Sequence, residues 1–162
     1  MPDFTPLLDY LGHSQLARTM ATSAQAREIA ATCHLVGSLV LVGALLPLNL
    51  RLIGFWRSTL LADLARVLGQ TALLGLVLAL ASGIALMSQR PFAIAADPAF
   101  QAKGALILLA GVNALLLRLV PAWRLLDQVD SRGTISRFRT AGIVSLVAWA
   151  GVLVLMRWPE LI

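Results

Sequence analysis

Four long apolar runs separated by short polar stretches dominate the pattern along the chain. The first, 24–50, has no charged residue from Ala30 to Leu50. At about 1.5 Å of rise per residue, that stretch makes roughly 30 Å of helix, the thickness of a bilayer's hydrocarbon core. Further runs at 67–87, 102–120 and 140–157 predict three more spans. Ahead of them, Phe4, Leu7, Leu8 and Leu11 follow the i, i+3, i+4, i+7 spacing, which Leu16 and Met20 continue, while His13, Gln15 and Arg18 take polar positions. Segment 4–22 is too polar to cross and predicts an amphipathic helix lying in the interface or docked on a partner. The expected fold is an all-α integral membrane protein, a four-transmembrane-helix bundle with an N-terminal amphipathic interfacial helix, in a single membrane domain over 1–162.

Polar and breaker residues refine these elements. Thr22 or Ser23 can cap the first span, whose far end holds Pro47 and is marked by Asn49, Arg51, Trp56 and Arg57 at the second interface. In the second span Thr71, Gly75, Ala79 and Gly83 recur every four residues, a stripe of small side chains that admits a neighbouring backbone. Residues 88–101, with Pro91 and Pro98, read as a connector. Asn113 lies near the centre of the third span, where an amide is expected to hydrogen-bond another helix. The third loop, 125–139, is the most polar stretch.

Composition agrees with the pattern: 59% of residues are hydrophobic and 13% charged, with mean hydropathy +0.83, against about 25% charged in soluble domains. The net charge of +5 comes from basic residues placed singly at span ends, without the clustered stripe that nucleic acid requires. Loops one and three hold eight Lys and Arg residues, and the N-terminal region, loop two and the C-terminus hold five. The positive-inside bias then predicts cytoplasmic loops and periplasmic termini in a bacterial inner membrane. The N-terminus lacks a basic n-region, so the first span is expected to act as an uncleaved insertion signal. Cys33 is the one cysteine, which excludes an intrachain disulfide.

That topology collects His13, Met20, Cys33, His34, Met87 and Met156 on the exterior side. Imidazole and soft sulfur ligands suit copper, and a His/His or His/Met pair suits the axial positions of haem b. His34 is then the first ligand, Cys33 a further metal candidate, and His13, Met87 or Met156 the second. The bland alternatives are Met as span-end filler, Cys33 as packing, and His34 bonded to a carbonyl or headgroup. Around His34 its own helix offers Arg27, Ala31, Ser38 and Leu41, none a second ligand. No Walker-type loop, Gly-x-Ser-x-Gly or His-Glu-x-x-His sequence occurs, and no acidic residue lies within a span core, which argues against a proton- or ion-coupled transporter.

His34-Leu-Val-Gly37 followed by Leu50-Arg51-Leu52-Ile53-Gly54 resembles an uncharacterised family of small bacterial four-span inner-membrane proteins. The similarity runs over nearly the whole chain through Glu28, Pro98, Phe100, Lys103, Asn113, Ala114, Ser145, Leu146 and Trp149. Its specificity lies in order and spacing, since each match is short. Asn49 and Asp97 stand where the family pattern has Asp and Asn, and Arg118 stands where it has a histidine. The resemblance implies the four-span fold and carries no activity. A likeness to copper-resistance and cytochrome b561-type membrane domains is one of architecture alone.

Three functions are compatible with these features. One is a non-enzymatic accessory protein or subunit that packs against itself, as a homo-oligomer, or a membrane-protein partner through the small-residue stripe and the N-terminal segment. Another is a redox protein holding haem b or copper at His34. The third is a quinone- or lipid-binding module using the space around Asn113 and His34.

Overall fold

The computed structural model describes residues 4–124 and 136–161, with the side chains of 122, 124 and 156–161 excepted. The polar part of the third loop, 125–135, lies outside the described residues. Four helices are long and apolar enough to cross a membrane: α3 (Ala24–Ile53), α4 (Leu61–Met87), α6 (Pro98–Leu119) and the 136–155 part of α8 (Ser136–Leu161). Their outward faces carry exposed Leu39, Leu74, Leu108 and Val147, the surface expected of a protein whose solvent is lipid. The chain is an all-α, four-helix, multi-pass membrane bundle.

The N-terminal segment is two short helices rather than one. α1 (Thr5–Gly12) and α2 (Gln15–Thr22) are parted at His13–Ser14, where the Ser14 hydroxyl accepts from the Ala17 amide at 3.1 Å and starts a new helix. Met20 packs on Ala30 and Ala85, and an Arg27 Nη donates to the Met20 carbonyl at 2.8 Å, so α2 docks on the bundle end. Ser23, not Thr22, caps α3 by accepting from the Ala26 amide at 3.2 Å.

Three spans start earlier than their hydropathy suggests, α8 by four residues at Ser136. α4 begins at Leu61, its first turns carrying Asp63 and Arg66 on an exposed face within 4.0 Å of each other. α6 begins at Pro98, because Asp97 accepts from the Ala99 amide at 2.9 Å and Pro98 needs no donor in the first turn. Between them the connector contains α5 (Pro91–Ala96), and α7 (Pro121–Arg124) follows α6.

α3 is the central helix. It packs antiparallel on α4 along one side and on α8 along another, and α6 packs on α8. Gly37 and Gly75 make the α3–α4 crossing possible. A Cβ on Gly37 would lie 2.6 Å from the Ala79 amide nitrogen, and one on Gly75 would lie 2.6 Å from that of Leu41. α3 ends at Gly54, whose φ of 118° lets the amides of Gly54 and Phe55 turn back to the Leu50 carbonyl.

At the end of α3, Asn49 and Arg51 face protein, and Arg51 does not snorkel outward as an interfacial arginine would. Both are buried, at 4% and 2% exposure. Arg51 Nε donates to the Thr59 carbonyl at 2.8 Å, so the guanidinium is folded into the α3–α4 loop.

Candidate functional site

The helix order α4, α3, α8, α6 leaves one adjacent pair without close packing: α4 and α6 share none comparable to the other span contacts. The ten residues from Ser88 to Asp97, stiffened by α5, separate them at the end where the N-terminal helices sit. Pro91 there lies against Gly12, where a Cβ would come within 3.2 Å of the proline ring. The result is a cleft, floored by α3 and α8, that follows the bundle axis.

Two cavities fill the cleft. The upper, about 420 Å³, is walled by His34, Leu80, Gly83, Met87, Phe100 and Lys103 among others. The lower, about 330 Å³, reaches Asn49, Asn113, Arg118, Trp123 and Ser145. Leu41, Leu76, Ile107 and Trp149 belong to both walls, so the two chambers adjoin. At the lower end an Arg118 Nη lies 3.7 Å from where a Gly69 Cβ would be, reaching across the cleft from α6 to α4.

His34 is fixed by its neighbour helix. Nδ1 lies 2.8 Å from the Ala79 carbonyl oxygen, which can only accept, so Nδ1 carries the hydrogen. In the neutral ring Nε2 is then an acceptor, and it has no partner among the described residues. Gly83 makes room for the imidazole: a Cβ there would stand 3.2 Å from ring atoms Cε1 and Nδ1. Of the small stripe, Gly75 and Ala79 are buried against α3 and Gly83 lies under the His34 ring. Thr71 instead bonds its hydroxyl to the Val67 carbonyl of its own helix.

In the lower chamber, Asn49 Nδ2 donates to Ser145 Oγ at 2.9 Å and ties α3 to α8. Asn113 Nδ2 donates to the Ala141 carbonyl at 2.9 Å and ties α6 to α8. Among the described residues the side-chain Oδ1 atoms of Asn49 and Asn113 have no partner.

The candidate ligands therefore separate. His34 and Met87 share the upper chamber. His13 is exposed on α1's end, its Nδ1 donating to the Asp9 carbonyl at 2.9 Å, and half-buried Cys33 lines neither chamber. The Met156 side chain lies outside the described residues. Among the described residues no group of three or more His, Cys, Asp or Glu is placed to hold a metal ion.

Sequence reasoning missed Ser145 and Trp149 as walls of a cavity and Lys103 as a cation facing one. The signal was faint: Ser145, Trp149 and Val152 lie at i, i+4, i+7 on one face of α8. Comparison of the chain with protein-family models, curated proteins and solved structures gave no match.

Proposed function

We propose that this protein binds a single-tailed amphiphile of the membrane, the tail lying in the α4–α6 cleft and a hydrogen-bonding head at the level of His34. The observation that carries this reading is the pair of adjoining apolar chambers, which extend from a fixed imidazole, its Nε2 without a partner among the described residues, past Trp149 to Asn113. Ligand sites are mostly apolar with a few placed polar groups, and this cleft has that make-up. A partner-packing role would have to use the N-terminal helices, where Phe4, Leu7 and Tyr10 are exposed, or the outward span faces, since Gly75 and Ala79 of the stripe are covered by α3.

The test is solvent extraction and mass spectrometry of protein purified in mild detergent. Wild type should retain a long-chain molecule near equal stoichiometry, and Ile107→Trp, which fills the wall common to both chambers, should lose it while remaining folded. Equal lipid carry-over in both proteins would sink the reading.

A second reading, haem b or copper at His34, is favoured by Met87 lining the same chamber. It predicts a reduced-minus-oxidised absorption signal, or bound copper, that His34→Ala abolishes. We infer further that the α3–α4 and α6–α8 loops face the cytoplasm and both termini the exterior of a bacterial inner membrane. The eight-to-five distribution of basic residues and the family resemblance support this.

A further inference from the structure

The charges along the cleft narrow the ligand's class. Among the described residues the walls of the two chambers contain Lys103 and Arg118 and no aspartate or glutamate. Lys103 is half-buried and makes no hydrogen bond or ion pair with any described residue. A cation set against an apolar wall at the membrane's edge lacks most of its hydration and gains from an anion brought to it. Lys103 is five residues past the start of α6, so it sits at the end of the cleft where a membrane amphiphile would carry its head. Arg118, by contrast, is at the other end, reaching toward Gly69.

We infer that the ligand is a long-chain fatty acid, its carboxylate paired with Lys103 and its tail passing Trp149 toward the lower chamber. This rests on the amphiphile reading above and adds the charge of the head. An uncharged alcohol of the same chain length would fill the same cleft and would not satisfy the Lys103 ammonium.

Trp149 supplies the readout, because it lines both chambers and bromine quenches indole on contact. Full-length protein in nanodiscs is titrated with a stearic acid brominated mid-chain and with the matching brominated stearyl alcohol; the Trp149→Phe variant gives the background from the other tryptophans. Saturable quenching by the acid is expected, with affinity about tenfold or more above the alcohol's, the size of one charge-assisted hydrogen bond. Lys103→Met should remove that preference and Lys103→Arg should keep it, with helicity by circular dichroism unchanged in both. Equal binding of acid and alcohol to wild type would overturn the carboxylate assignment and leave the amphiphile reading standing. No saturable quenching by either would overturn both.

Discussion

Arg51 shows how much one side chain settles. A buried guanidinium must be satisfied by protein, because an unpaired buried charge costs several kcal/mol. At 2% exposure it donates from Nε to the Thr59 carbonyl, and an Nη lies 3.5 Å from the Arg57 carbonyl. The loop that follows Gly54 is thus closed from beneath. Arg51→Ala should lower stability by about 1–3 kcal/mol through the carbonyls left unpaired. Arg51→Lys should recover only part of this, since an ammonium lacks the planar fork. Chemical denaturation in detergent micelles measures both, and unchanged midpoints would mean the loop closes without the guanidinium. Asn49 and Ser145 form the other buried pair, and a double-mutant cycle with Ala at each should give a coupling of about 0.5–1.5 kcal/mol. A coupling of zero would make the hydrogen bond incidental to the α3–α8 contact. Neither role was legible from position. A polar residue at the end of an apolar run reads as an interface marker, and the partner that Asn49 donates to, Ser145, lies 96 residues further along the chain.

At the scale of elements, the reading of the sequence depends on whether a signal is local. Hydropathy places all four spans, because a bilayer demands about twenty apolar residues whatever the tertiary packing. The earlier starts of α4 and α6 escape it, since they rest on an exposed Asp63–Arg66 pair and on the Asp97 cap rather than on apolar length. The four-residue stripe of α4 marks a close helix contact but not its partner, because small residues admit any backbone equally. The partner is α3 of the same chain, through Gly37 and Gly75. Gly75→Leu should therefore destabilise the bundle by about 1–3 kcal/mol or more by overpacking. Gly43, which has open space where its Cβ would lie, provides the control: Gly43→Ala should be neutral or stabilising by up to about 1 kcal/mol. Similar denaturation midpoints for the two variants would mean the α3–α4 crossing tolerates separation.

The whole molecule adds what no element contains, the order in which the spans surround α3. Apolar runs carry no label for their neighbours, so the gap between α4 and α6 is invisible until the bundle is assembled. His34 and Asn113, both noticeable in the sequence, become two levels of one cleft only there. The cleft also fixes how the proposed ligand should respond to tail length. From water, each methylene buried contributes about 0.8 kcal/mol, so apparent affinity should rise roughly fourfold per added CH₂. The true competitor is the surrounding bilayer, whose acyl chains are as apolar as the Leu and Ile walls. Referred to concentration within the membrane, that gain cancels, and affinity should be nearly flat with chain length once the tail passes Trp149. The head contact at Lys103 then carries the preference. Titrating nanodiscs with saturated fatty acids of increasing length in competition with the brominated acid tests this. A membrane-referenced affinity that kept climbing at the aqueous rate would show instead that the cleft selects its ligand by the tail.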